Sequence, residues 1–123
     1  MHVPLAVGVD MIENKRIARS MERFGSRFMN RIFTIQEQNH CGGRVPSLAG
    51  RFAIKEAVAK ALGTGVGDMN WTDIEVVNDE RGKPELILHN DALVIAQSQG
   101  LVHWSISLSH TDTHAIGFAV GMR

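Results

Sequence analysis

Ser47-Leu-Ala-Gly-Arg-Phe-Ala-Ile-Lys-Glu-Ala-Val-Ala-Lys-Ala-Leu62 is the stretch on which the fold turns. Its alanine, leucine, lysine and glutamate content favours helix. Ser47 is a suitable N-cap. Gly63-Thr64-Gly65-Val66-Gly67 predicts the stop, because glycine takes the left-handed cap conformation cheaply. Leu48, Phe52, Ile54, Val58 and Leu62 make the helix apolar nearly all round, so it should be substantially buried.

Working outward toward the N-terminus, Cys41 to Pro46 reads as a loop containing Gly42-Gly43. Thr34-Ile-Gln-Glu37 has capping-box spacing and predicts a short helix starting there. Ile17, Met21, Phe24 and Phe28 recur every three or four residues, an apolar stripe on a helix over 13–24. Gly25-Ser26 should interrupt it before a further helical turn or two over Arg27 to Phe33. Residues 4–9, Pro-Leu-Ala-Val-Gly-Val, read as a short buried strand with Asp10 at its end.

On the C-terminal side, Ile74 to Val77 and Pro84 to His89 flank Asn78-Asp-Glu-Arg-Gly82, a hairpin signal. Asn90 can cap a helix over Asp91–Ser98 ended by Gly100. In Val102 to Ser109, Val102, Trp104, Ile106 and Leu108 face one way, and His103, Ser105, Ser107 and Ser109 face the other. Residues 115–121 repeat the alternation, with Ile116, Phe118 and Val120 on one face and His110 to His114 as the connecting loop. Ser105, Ser107, Ser109, Ala115, Gly117 and Ala119 are expected to form a second face of small residues. That face either packs on the chain's own long helix or serves as a subunit interface. The element order predicts an α+β fold, a mainly antiparallel sheet on a long central helix.

The chain has 123 residues, which suits one domain over 1–123. Apolar residues make up 44% and charged residues 21%, an ordinary soluble composition. A single cysteine, Cys41, excludes an internal disulfide framework and suits a reducing, cytoplasmic setting. No apolar run is long enough to span a membrane, and the N-terminus lacks a signal-peptide pattern. The zero net charge hides an asymmetry: residues 1–60 hold ten Lys/Arg against five Asp/Glu, and residues 61–123 hold three against eight. The basic half could attract phosphates or an acidic protein, whereas the acidic half argues against a general nucleic-acid coat.

Several residues could carry chemistry. Asp10 either binds a metal or caps the following helix. Glu56 and Lys60 share a helix face with Ala49 and Ala53. They form an i,i+4 pair, or Glu56 is a buried carboxylate that needs a cation. Asp10 and Glu56 with waters would suit Mg2+. Arg51, Lys55 and Lys60 add positive charge in different directions. Arg16, Arg19, Arg23 and Arg27 form a basic stripe enlarged by Lys15 and Arg31, which is either a solvated face or a dock for an acidic partner. His103, His110 and His114 lack the accompanying motifs of a zinc site. Gly63-Thr64-Gly65 is not a Walker A loop, and no nucleophile-elbow motif is present.

Gly8-Val9-Asp10 with Ile12-Glu13 and Arg16-Ile17, then Arg51-Phe52-Ala53-Ile54-Lys55-Glu56-Ala57 with Lys60-Ala61-Leu62-Gly63-Thr64-Gly65, then Ser107-Leu108-Ser109-His110-Thr111 together resemble the holo-acyl-carrier-protein synthase family. These are small bacterial 4′-phosphopantetheinyl transferases. Arg31-Ile-Phe-Thr34, Asp73-Ile-Glu75 and Gly82-Lys-Pro84 also fit. Ile54 stands where the family usually has alanine, and the loop at Cys41-Gly42-Gly43 is short.

The resemblance implies transfer of the 4′-phosphopantetheine arm of coenzyme A to a serine of apo acyl carrier protein, releasing adenosine 3′,5′-bisphosphate and supporting fatty acid biosynthesis. It implies Mg2+ dependence and a homotrimer with interfacial active sites, without nucleic acid or membrane. By motif position, Asp10 and Glu56 would be metal ligands and, with Lys60, the catalytic group. Arg51, Lys55, Lys60, Gly63, Lys83, Pro84, His110 and Thr111 would hold coenzyme A. Arg16, Ile17, Arg23 and Phe52 would meet the acidic carrier helix. The competing reading is a catalytically silent module that keeps the fold and binds coenzyme A or the carrier.

Overall fold

The central helix begins earlier than its serine cap suggests. In the computed structural model, which describes residues 4–123, it is α4, Val45–Leu62. Pro46 sits in its first turn, where its missing N–H costs nothing. Arg44 is the N-cap and offers no side-chain bond, so Ser47 lies inside the helix. Gly63 ends it at φ 72°, the left-handed cap that glycine supplies.

Before α4 come β1 (Leu5–Glu13), α1 (Asn14–Phe24), α2 (Ser26–Ile32) and α3 (Ile35–Cys41). Gly25, at φ 54°, breaks α1 from α2. The capping box at Thr34 and Glu37 is formed from both sides. After α4 come 3-10 turns at Val66–Asp68 and Trp71–Asp73, then β2 (Ile74–Asn78), β3 (Pro84–Leu88), α5 (Asn90–Ser98), β4 (His103–His110) and β5 (His114–Met122).

All strand pairs are antiparallel. The order is β1-β5-β4 in one sheet, and the β2-β3 hairpin forms a separate sheet. The α+β reading holds, with five α-helices and these two sheets among the described residues. The three-stranded sheet lies on α4, and contact is very close where strands lack side chains. A Cβ on Gly8 would sit 1.8 Å from the Ala57 carbonyl oxygen, and one on Gly117 2.6 Å from Ala53 carbonyl carbon. α4 answers with buried Ala49, Ala53 and Ala57. Small residues on both partners let backbones approach and pack densely.

Two core clusters flank this layer. Ile54, Val58 and Leu62 pack with Ile74, Val76, Leu101 and Ile106. Leu48, Ala49 and Ala53 pack with Ile12, Ile17, Ile32 and Phe33.

Three local expectations are corrected. β1 does not stop at residue 9, because it pairs with β5 from Leu5↔Met122 to Glu13↔His114, which places Asp10 inside the strand. Cys41 belongs to α3, so the loop before α4 shrinks to residues 42–44. Asn90 does not cap α5: it takes φ 48° and turns its amide to donate to Asp73 Oδ1 at 3.2 Å.

The small-residue face is also redrawn. Ser105, Ser107 and Ser109 are paired with Val120, Phe118 and Ile116, and paired residues share a face. Ala115, Gly117 and Ala119 therefore turn inward onto α4 with Ile106 and Leu108, while the serines turn outward. The same alternation puts Leu5, Val7, Val9 and Met11 of β1 on the outer face beside Ile116, Phe118 and Met122, all exposed, Met11 by 64%.

Candidate active site

Asp10 reaches the inner face because β1 continues past it. It is paired with Gly117, whose missing side chain brings the strand down onto α4. Glu56 and Lys60 stand one turn apart on α4. Lys60 Nζ donates to Asp10 Oδ1 at 2.9 Å and to the Val9 carbonyl oxygen at 3.0 Å. Asp10 of β1 thus meets Glu56 and Lys60 of α4, about fifty residues on, at the strand–helix seam.

Burial pushes the Glu56 carboxyl above the ordinary glutamate value. The Asp10 carboxylate adds to that rise, and Lys60 and Arg16 oppose it. The hydrogen bond to Asp10 holds the Lys60 ammonium above the ordinary lysine value, and the Asp10 charge reinforces this. Lys60 is thus an exposed ammonium ion-paired with Asp10 in this arrangement. A proton-accepting lysine would need the opposite shift.

Two neighbouring carboxylates are a donor set for a hard cation. Among the described residues no group of three or more His, Cys, Asp or Glu could hold a metal. An all-protein cage is therefore not offered, and two carboxylates fit Mg2+, which keeps several waters and takes further oxygens from substrate phosphates. His103 and His110 stand at opposite ends of β4, roughly 23 Å apart at strand rise.

The remaining candidates are scattered. Arg51 is buried on α4 and donates to Asn78 Oδ1 at 2.5 Å and more weakly to the Ser47 carbonyl oxygen; its Nε has no hydrogen-bond partner among the described residues. Asn78 is paired with Pro84, so Arg51, Pro84 and the adjacent Lys83 gather around the β2–β3 hairpin. Gly63 lies twelve residues along α4 from Arg51, roughly 18 Å away. His110 ends β4, and Thr111 sits in the following turn. Asn14 Nδ2 donates to the Thr111 carbonyl oxygen at 2.9 Å, and Asn14 N donates to that of Thr113 at 2.8 Å, docking this turn on the start of α1.

Two assignments do not survive. Lys55 has a side chain without solvent exposure, and its three protons are taken by Glu37 Oε1, the Trp71 carbonyl and the Ile74 carbonyl. It cannot touch coenzyme A; it is a core residue whose ammonium is pushed below the ordinary lysine value by burial, an effect that Glu37 partly offsets. Ile17 is 2% exposed and packs in the core, so it cannot form a docking surface. Arg16 and Arg23 are exposed. Phe52 is half-buried and stacks on Trp71 with ring centres 5.0 Å apart.

Sequence reasoning missed a polar chain behind the site. Glu75 Oε2 accepts from Thr34 Oγ1 at 2.6 Å, and Glu75 Oε1 pairs with His89 Nε2 at 3.0 Å. Burial alone would raise the Glu75 carboxyl, but Thr34 and His89 together hold it below the ordinary value. Thr34 N donates to Glu37 Oε1, and Glu37 carries the chain on to Lys55. The capping-box spacing was visible, but nothing local says that its glutamate also meets a lysine 18 residues on.

A family model described as the 4′-phosphopantetheinyl transferase superfamily matches residues 6–119. The holo-acyl-carrier-protein synthase of Alkaliphilus metalliredigens is 48% identical over 117 residues, covering 93% of this chain and 95% of the relative. That of Herpetosiphon aurantiacus is 46% identical over 125 residues, covering 96% and 98%. The crystal structure of the Neisseria meningitidis holo-acyl-carrier-protein synthase is 35% identical, with a TM-score of 0.86 over 96% of this chain and 98% of that one. The Helicobacter pylori synthase, solved in complex with coenzyme A, is 28% identical with a TM-score of 0.85 over 94% and 98%. By sequence motif, fold and full-length similarity, this chain belongs to the 4′-phosphopantetheinyl transferase superfamily.

Proposed function

We propose that the chain is a holo-acyl-carrier-protein synthase. It moves 4′-phosphopantetheine from coenzyme A to a serine of apo acyl carrier protein, releases adenosine 3′,5′-bisphosphate, and acts in the cytoplasm in support of fatty acid biosynthesis. The observation that carries the reading is the meeting of Asp10, Glu56 and Lys60 at one seam in a chain of this family.

Asp10 and Glu56 would hold Mg2+, which when bound supplies Lewis-acid neutralisation and orientation of the pyrophosphate. Lys60, kept cationic by Asp10, would place its charge on a coenzyme A phosphate oxygen. The chemistry asks mainly for positioning and charge, so few side chains are needed. Arg51, Gly63, Lys83, Pro84, His110 and Thr111 would hold the nucleotide. Their separation within one chain supports sharing between subunits, and the exposed apolar outer sheet face supports a homotrimer in which it is covered. Arg16 and Arg23 would meet the acidic carrier helix, raising encounter rate and specificity.

The direct test is incubation with coenzyme A, Mg2+ and apo acyl carrier protein, followed by intact-mass spectrometry of the carrier. The expected result is a gain of one phosphopantetheine group, lost on adding EDTA. No gain across several carriers, with coenzyme A still bound, would leave a silent binding module.

A further inference from the structure

A groove of about 450 Å3 lies where α1, α2 and α4 meet the Trp71–Asp73 turn. Phe28, Ile32 and Phe52 form apolar lining, Trp71 adds an aromatic wall, and Arg27 and Arg31 lie at one side, one turn apart on α2. Among the described residues neither arginine forms an ion pair, nor do Arg16, Arg19 and Arg23 on the neighbouring helix. An apolar slot bordered by uncompensated arginines fits a helix that presents one bulky apolar side chain between carboxylates.

Trp71 is held in two ways. Its ring stacks on Phe52, 25° from parallel. Its carbonyl accepts from Lys55 Nζ at 3.1 Å, and that ammonium is in turn fixed by Glu37 at 2.8 Å. Phe52 and Lys55 are one turn apart on α4, so a single helix face grips both ends of the residue. The capping pair of Asn70 and Asp73 shapes the turn but does not tie it to α4. A three-residue 3-10 turn has little persistence of its own. Asp73 is tied to the start of α5 by His89 N at 2.8 Å and Asn90 Nδ2 at 3.2 Å, and the buried pair is the polar tie that holds Trp71 itself to α4.

We infer that Trp71 is a specificity-determining contact for the acidic acyl carrier protein, and that Lys55 and Glu37 are the positioning residues that seat it; this rests on the transferase reading above. A buried ion pair is a poor stabiliser compared with an apolar pair of similar shape. Its use here is to place an aromatic wall beside a charged groove.

The test is steady-state kinetics with apo carrier protein and coenzyme A. Trp71→Ala is expected to raise the carrier KM by about tenfold or more, the scale of an aromatic hot spot. Both kcat and the coenzyme A KM should stay within about twofold, and Trp71→Phe should restore most of the loss. The Glu37→Gln/Lys55→Met double variant removes both charges together. It should raise the carrier KM similarly and shift the Trp71 emission, read in a Trp104→Phe background. If the double variant does not fold, Trp71→Ala and its Trp71→Phe rescue carry the test. An unchanged carrier KM in Trp71→Ala overturns the inference. So does a coenzyme A KM that rises in step, or a folded pair variant with unaltered emission and carrier KM. A wild-type protein that modifies no carrier overturns the transferase reading and this inference with it; an active wild type with an indifferent Trp71→Ala overturns this inference alone.

Discussion

Glu56 sits on a largely buried helix beside a second carboxylate, and both facts disfavour its charge. A carboxyl whose folded pKa lies above its unfolded value is destabilised by ionising. The cost is absent below the unfolded value and complete above the folded one. Glu56→Gln should therefore melt higher than wild type at neutral pH in metal-free buffer, with the gap closing as pH falls through the glutamate range. The same variant should lose at least about a hundredfold in transfer, since it removes charge stabilisation worth several kcal/mol. Lys55 is the opposite case. Lys55→Met strands Glu37 in the core and should cost about 3–5 kcal/mol by denaturant unfolding, whereas replacing both partners should cost far less. Asp10, Glu56 and Lys60 were legible as residues. What the sequence could not say was that Lys60 reaches a surface seam while Lys55, five positions earlier on the same helix, points into the core. Helical spacing sets their relative directions, and only the elements packed around α4 decide which direction is wet.

The elements themselves were largely readable, because their signals are local. The capping box at Thr34, the glycine break at Gly25, the stop at Gly63 and the β2–β3 hairpin all formed where expected. The failures were elements whose extent depends on a partner. β1 runs on to Glu13 because β5 is there to accept its ladder, and Asn90 abandons its cap because Asp73 offers its carboxylate. The serine face was assigned wrongly because alternation fixes faces within a strand, while the relation between strands depends on register. The close strand–helix seam gives a prediction at this scale. Gly117→Ala puts a methyl 2.6 Å from Ala53 and Ile54 backbone atoms. It should cost about 3 kcal/mol or more in unfolding experiments. It should also depress transfer, because Asp10 pairs directly with Gly117 and would move away from α4.

At the scale of the molecule, the outer face of the β1-β5-β4 sheet is the largest feature that one chain leaves unexplained. Leu5, Val7, Val9, Met11, Ile116, Phe118 and Met122 stand exposed on it. Wild type is expected to sediment as a trimer and Phe118→Glu as a monomer, with transfer lost and the helical far-UV signal kept. An active monomer would overturn the shared-site reading. Composition, motif spacing and local caps by themselves determined the helices, the hairpin and the antiparallel α+β class, because each is written in neighbouring residues, while the charged triad was picked out by the resemblance of its motifs to the family. The tertiary structure alone decided which lysine is buried, which strand face is covered, that Ile17 is core and that Trp71 is a groove wall. Those outcomes depend on what packs against each side chain from residues distant in the chain, and neither periodicity nor propensity encodes that.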